Sequence, residues 1–363
     1  MNVVSGMITG VNVRKDRNVE KYMDLGYSLI QSVMATSSSS STTSYKNTMT
    51  IFLEECIWTA MKQRIPSSSF EICESSSFWY QGRSWRYECV CMKEESEESE
   101  ECEEGEESEG SEEGKEGEQK EIVIILMEKE DLYLWKYKTW ITDFWVHSDN
   151  HGKDTLDYML VQLNKFEWMR MAVAFHRRTT SISEAVRGLD KMYVWIDFGI
   201  GHLYNSTTEE GQAALQQDIA GMAAGWTGKN LYWMPRGMKE GTTFMGPRQQ
   251  QMIVPFGQRA IRFGNPPMWH PDADWIWPAT LDAHCRSIKW LIAGGVFLGD
   301  AATLEAFAGI FYERALRLIV EQKTMTWEVN LLMILYGECP EWFDFYPCDH
   351  DPTILRNVLM PSV

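Results

Sequence analysis

Asp197 is the residue in this chain best placed to do chemistry. It closes the run Tyr193-Val194-Trp195-Ile196, which reads as a buried strand, and Gly199, Gly201 and His202 follow it. In open α/β sheets, ligands bind beyond the carboxyl ends of the strands, so an apolar strand ending on an acid presents that carboxylate to a crevice. Gly199 and Gly201 lack side chains and let a ligand or a metal come close to the backbone. A hard divalent cation takes carboxylate oxygens and commonly keeps phosphate oxygens as further ligands. The stretch therefore reads as a metal–diphosphate site with Asp197 and His202 as candidate ligands. The plainer alternative is an acid that caps a turn.

Other residues offer compatible chemistry. Lys153 and Lys165, near the start and middle of a strongly helical segment, can neutralise a diphosphate, although exposed lysines on a helix are commonplace. Glu328 falls in the first turn of a later helix, where an acid complements the helix dipole. Gly294-Gly295 interrupts two apolar segments, as a bulge or as a close approach of backbone to ligand.

The elements that must carry these residues alternate. Residues 2–8 read as a strand and the stretch around Val19, Tyr22, Met23, Gly26, Leu29 and Ile30 as a helix. Residues 48–55 and 121–129 read as further strands, and strand–helix–strand order predicts an α/β fold with a parallel sheet. Residues 153–175 predict one long helix, with Leu156, Met159, Leu160, Leu163 and Phe166 on its apolar stripe and Asp154 or Thr155 as its cap. A short helix is expected in "SISEAVRGL", just before the Asp197 strand. "IKWLIAGGVFLGD" (288–300) reads as strand, double glycine, strand. Asp300 should cap a helix running to about Glu321, with Leu304, Phe307, Phe311 and Leu318 inward. Thr326 should cap another, closed by Gly337. Residues 205–287, rich in Gly, Pro, Trp and Gln, read as a variable substrate-side region with short helices.

Composition narrows the function. The chain has 363 residues, 44% of them hydrophobic, enough for a sizeable core. Residues 94–121 hold sixteen Glu and two Lys, a net −14 of the chain's −18. Such a segment has nothing to bury and reads as a disordered, solvated insertion. One domain is thus expected from 1–93 and 122–363, with the Glu-rich 94–121 inserted. The remaining charge is unremarkable and no basic stripe appears, so nucleic acid is not an expected partner. The eight Cys show no CxxC pair and read as thiols of a reducing compartment. No apolar run suits a membrane span and the first residues lack the apolar core of a signal peptide, so a cytoplasmic protein is expected.

Five stretches carry a resemblance. "DLYLWKYKTWIT" (131–142), "KDTLDYMLVQLNKFEWMRMAV" (153–173), "WIDFGIGHL" (195–203), "IAGGVFLGD" (292–300) and "TWEVNLLMILYGECPEWFDFYPCDHD" (326–351) fall in the order of the HtrL/YibB-type family. That family has bacterial members, and the chain is also similar to related proteins of large DNA viruses, which would place it in the host cytoplasm. "VVSGMITGVN" and "EKYMDLGYSLI" near the N-terminus look similar too.

The resemblance implies a GT-A-like nucleotide-diphospho-sugar transferase fold: a mostly parallel central sheet flanked by helices, in a single domain. It implies a hexosyltransferase-like activity, with a nucleotide-sugar donor and a carbohydrate or glycoprotein acceptor, assisted by Mn²⁺ or Mg²⁺. In such enzymes a short acidic motif, often Asp-x-Asp, binds the metal. Asp197 matches its first acid, but Gly199 replaces the second. His350, in "YPCDHD", resembles the C-terminal metal-binding His of several GT-A families, and His202 is a further ligand candidate. Glu328 corresponds to a helix-start acid aimed at the donor sugar or acceptor hydroxyl, a general-base position. Gly294-Gly295 would shape the sugar pocket, and Thr9 and Gly10 would cradle the nucleotide base by fold analogy. Among the sixteen Trp, Trp275 and Trp277 are the expected acceptor platforms. Two rivals stand beside this reading: a non-catalytic carbohydrate- or partner-binding protein on the same fold, and a metal-dependent phosphohydrolase. The clustered strand-end Asp and His of the latter are not seen in the sequence.

Overall fold

A computed structural model describes residues 1–8, 18–35, 48–65, 70–92, 121–146, 151–179, 192–227, 243–245, 251–253, 260–265, 288 and 290–360. Thr9, Gly10, Trp275, Trp277, most of the Glu-rich segment and the expected helix at 181–189 lie outside them.

The chain opens with β1 (Asn2–Met7), α1 (Val19–Ala35), β2 (Thr48–Leu53) and α2 (Glu55–Arg64), as the apolar spacing predicts. It continues with β3 (Phe70–Tyr80), β4 (Arg83–Met92) and β5 (Glu121–Leu126). Then come α3 (Leu156–Gln162), α4 (Lys165–Thr179), β6 (Met192–Ile196) and α5 (Glu209–Thr227). The short pair β7 (Thr243–Met245) and β8 (Gln251–Ile253) stands apart from the main sheet. The chain then runs through β9 (Ile261–Asn265), β10 (Ala293–Asp300), α6 (Ala301–Gln322), α7 (Glu328–Glu338), β11 (Phe343–Pro347) and α8 (Thr353–Arg356).

Nine strands form one sheet in the order β11-β9-β10-β6-β1-β2-β5-β4-β3. Alternate residues face opposite sides. Val4, Phe52, Val123 and Trp195 join one core with α4 and α6, whereas Val3, Ile51, Ile124 and Ile196 join another with α1, α2 and α5. The result is a single α/β domain of three layers.

The sheet is mixed rather than mostly parallel. Four of its pairings are parallel and four antiparallel. β6, β1, β2 and β5 form the parallel centre. On one flank β3 and β4 make a hairpin around Gln81-Gly82, both at positive φ (49° and 79°), as a two-residue hairpin turn requires. On the other, β10 runs antiparallel to β6 and β9. β10 therefore starts where β6 ends. Its register sets Val296 beside Ile196, and the Asp197 N–H donates to Gly295 O at 2.8 Å. This reversal carries Gly294 and Gly295 to the Asp197 end of the sheet. The ladder to β9 is irregular between Ala293 and Phe297, and the glycine pair lies inside the bulged start of β10 rather than between two strands.

Three local expectations are revised. The single helix over 153–175 is two, broken at Leu163–Asn164, because the Asn164 side chain is held by the Tyr133 N–H at 2.8 Å. Thr155 caps the first piece as expected. The helix after Thr326 begins with Trp327 as its N-cap and passes through Gly337 to Glu338. Thr326 instead accepts from the Asn330 side chain. Residues 205–287 contribute a nineteen-residue helix, α5, and a core strand, β9, rather than short helices alone. Asp300 does cap α6, accepting from the Thr303 N–H at 2.9 Å, and Leu304, Phe307, Phe311 and Leu318 are buried.

Candidate functional site

At the end of the sheet where β1 and β6 finish lies a cavity of about 410 Å³. Asp197, Glu328, Lys165, Lys153, His202 and His350 all line it, as do Gly294 and Gly295. Every sequence-predicted site residue among the described residues is thus brought to one place, from six separate segments of chain.

Lys165 lies at the centre of the charged group. It is the first residue of α4 and is 2% exposed. Its Nζ stands 3.0 Å from Asp197 Oδ1, 3.0 Å from Glu328 Oε1 and 3.0 Å from the carbonyl oxygen of Gly294. Burial works against its charge, but the carboxylates of Asp197 and Glu328 outweigh that cost, so its pKa is raised above that of an ordinary lysine. The expectation of Lys165 as a diphosphate ligand is corrected: its ammonium is spent on protein acceptors.

Asp197 is held from below as well. The Trp195 Nε1–H donates to Asp197 Oδ1 at 2.7 Å, a consequence of the period-two geometry that puts residues 195 and 197 on one side. Trp195 belongs to a stacked row, Phe52–Trp168–Trp195–Phe297, with ring centroids 5.5–6.1 Å apart and planes within about 15°. The floor under the carboxylate is therefore rigid and apolar. The Asp197 side chain itself keeps 38% of its surface exposed, toward the cavity.

Two imidazoles line the same cavity. His202 lies in a 3₁₀ turn (Ile200–Leu203), and its Nδ1 is 2.6 Å from the carbonyl oxygen of Gly199. A carbonyl only accepts, so Nδ1 carries the proton and Nε2 the lone pair when the ring is neutral. A carbonyl that holds one ring nitrogen in this way fixes the tautomer and ring orientation, as it does behind metal-ligating histidines. His350 follows β11 on an exposed loop, and the two rings are 5.5 Å apart. Asp349 and Asp351 serve that loop: Asp349 accepts from the His350 N–H and Asp351 from the Thr353 N–H.

Several contributors escaped sequence reading. Tyr22, Tyr158, Trp290 and Trp327 line the cavity as aromatic walls. Lys153 sits at its edge, with Nζ 5.8 Å from the Trp290 ring and 6.0 Å from that of Tyr158. Tyr22 was legible only as a helix-face residue. Trp290 and Trp327 carried no signal beyond being aromatic.

The donors present suit a divalent cation only in part. Among the described residues no three His, Cys, Asp or Glu converge as a ready-made metal site. Asp197 Oδ1 is taken by Lys165 and Trp195, which leaves Oδ2, His202 and His350 as the protein donors around the open cavity. Such a partial set matches a cation that shares its coordination with a phosphate ligand. No protein-family model matches the chain, and neither does any curated protein or solved structure. Among the described residues, no helix is long and apolar enough to cross a membrane.

Proposed function

We propose that this protein is a GT-A-like glycosyltransferase that moves a hexose-type sugar from a nucleotide-diphospho-sugar to a hydroxyl of a carbohydrate or glycoprotein, in the cytoplasm. One observation carries the reading. Two carboxylates of different origin, Asp197 at a strand end and Glu328 at a helix start, face one aromatic-walled cavity at the carboxyl end of the parallel strands. That is where α/β sheets bind nucleotides, and the HtrL/YibB-type resemblance points the same way.

In this reading Mn²⁺ or Mg²⁺ would be held by Asp197 Oδ2 with His202 and His350, and would supply Lewis-acid stabilisation of the leaving diphosphate. Glu328 acts on the acceptor. The acceptor oxygen forms a bond to the anomeric carbon, the bond from that carbon to the diphosphate oxygen breaks, and the hydroxyl proton passes to the Glu328 carboxylate. Gly294 lets the Glu328 carboxylate lie against the backbone: a Cβ there would be 2.6 Å from Glu328 Oε1. Lys153 and the Trp290 ring offer a charged and stacking edge for donor or acceptor.

A thermal-shift scan of UDP-, GDP- and other nucleotide sugars, with and without Mn²⁺, tests this. At least one donor should stabilise the protein in the presence of metal, and Asp197→Asn should abolish the metal-dependent part of its binding in titration calorimetry while the protein stays folded. Equal donor affinity in parent and variant would return Asp197 to a structural role. The second reading, carbohydrate or partner binding without turnover, draws on Gly199 standing where a second acid is common. Tight donor binding with no sugar transfer would select it.

A further inference from the structure

We propose that Lys165 is the resident cation of this site: its ammonium fills the position between Asp197 and Glu328 that a divalent ion would otherwise take, and it holds both carboxylates in place. The catalytic meaning of this positioning residue rests on the transferase reading, whereas its electrostatics rest on geometry alone.

Lys165 is in the wrong place for an ordinary lysine. It opens α4, and a helix N-terminus disfavours positive charge. It is also buried, which disfavours any charge. Both costs are met by its three acceptors, which come from three elements: the end of β6, the first turn of α7 and the bulged start of β10. The relation is mutual. With Lys165 removed, Asp197 and Glu328 would face each other across one small space as like charges. The cationic lysines lining the cavity, among the described residues, are Lys165 and Lys153, and Lys153 sits at the edge against Tyr158 and Trp290.

A cation entering the cavity is therefore a competitor of Lys165. Two cations that compete for one pair of carboxylates weaken each other reciprocally. In the parent, an entering ion reaches Asp197 only from the cavity side, through Oδ2 and the imidazoles, and binds weakly until a diphosphate supplies further oxygens. Without Lys165, the ion gains both carboxylates.

The test uses Mn²⁺ alone, with no nucleotide sugar, on the full chain. Mn²⁺ affinity by titration calorimetry and melting curves with and without Mn²⁺ are compared for the parent, Lys165→Ala, and Lys165→Ala combined with Asp197→Asn and Glu328→Gln. Lys165→Ala should bind Mn²⁺ about tenfold more tightly than the parent, or better. It should also gain more melting temperature from Mn²⁺, and the charge-free triple variant should lose both gains. Unchanged Mn²⁺ affinity in a folded Lys165→Ala protein, or a gain that survives in the triple variant, overturns the proposal. If Lys165→Ala does not fold, a folded triple variant supports the charge role, and an unfolded one overturns it by showing that Lys165 is needed for packing alone. Because no donor is present, failure to find a nucleotide-sugar ligand would remove the transferase reading without touching this result.

Discussion

Glu328 shows how tertiary contacts change the meaning of a single residue. By position it is a helix-start acid worth roughly 0.3–1 kcal/mol against the dipole. In the fold it is 8% exposed and carries a charge-assisted bond from Lys165. Glu328→Gln should therefore destabilise the protein by about 1.5–3 kcal/mol, more than the dipole alone would allow. If Glu328 takes the acceptor proton, transfer should also fall by roughly 10²–10⁴ at matched donor saturation. Melting curves and transfer assays on the same two preparations separate these effects. A fall of less than tenfold would leave Glu328 as a structural partner of Lys165.

The site's outer wall depends on how two elements are pinned. β9 and β11 are parallel, with Arg262 paired to Asp344 in register. Arg262 is fully buried; its Nη1 bonds Asp344 Oδ2 at 2.5 Å, and its Nε donates to Val358 O at 2.6 Å. Burial lowers its pKa, opposed by the Asp344 charge. This one side chain ties the strand to the chain end just after α8. The same stretch brings His350 and Ile354 to the cavity. Arg262→Met leaves Asp344 buried and unpaired and should cost about 3–5 kcal/mol. Combining it with Asp344→Leu should restore much of the loss in denaturant unfolding. If the double variant is no better than the single, the bonds to the Val358 and Met360 carbonyls dominate instead. A second close approach fixes α1: a Cβ on Gly26 would lie 2.0 Å from the Phe198 ring, the residue after Asp197.

For the whole molecule, the Glu-rich segment 94–121 carries −14 of the net charge of −18. The strands that precede and follow it, β4 and β5, are antiparallel neighbours, and Cys91 of β4 pairs with Glu121 of β5. A short turn can join such strands, and loop length itself adds little to the cost of closing them. Replacing residues 94–120 by a short Gly/Ser turn should leave the melting temperature within a few degrees of the parent. A larger loss would mean that the segment packs on the domain or holds a stabilising ion. β4 and β5, the strands on either side of it in sequence, lie on the flank of the sheet away from β10.

Local pattern was enough for β1, α1, β2, β5, β6 and α6, because apolar periodicity and a cap such as Asp300 act within a few residues of chain. Residue type and position also drew attention to Asp197, Glu328, Lys165, His202 and the glycine pair, each with a plainer structural reading beside it, whereas His350 entered through the resemblance. Pattern could not give the direction of β10, which brings Gly295 beside Asp197. Nor could it find β9, a five-residue strand whose second residue, Arg262, is buried only because Asp344 of another strand pairs with it. The role of Lys165 was likewise out of reach. A lysine in the middle of a helical pattern looks exposed in sequence, and only the meeting of β6, α7 and β10 around its ammonium makes it the buried counter-charge of two acids.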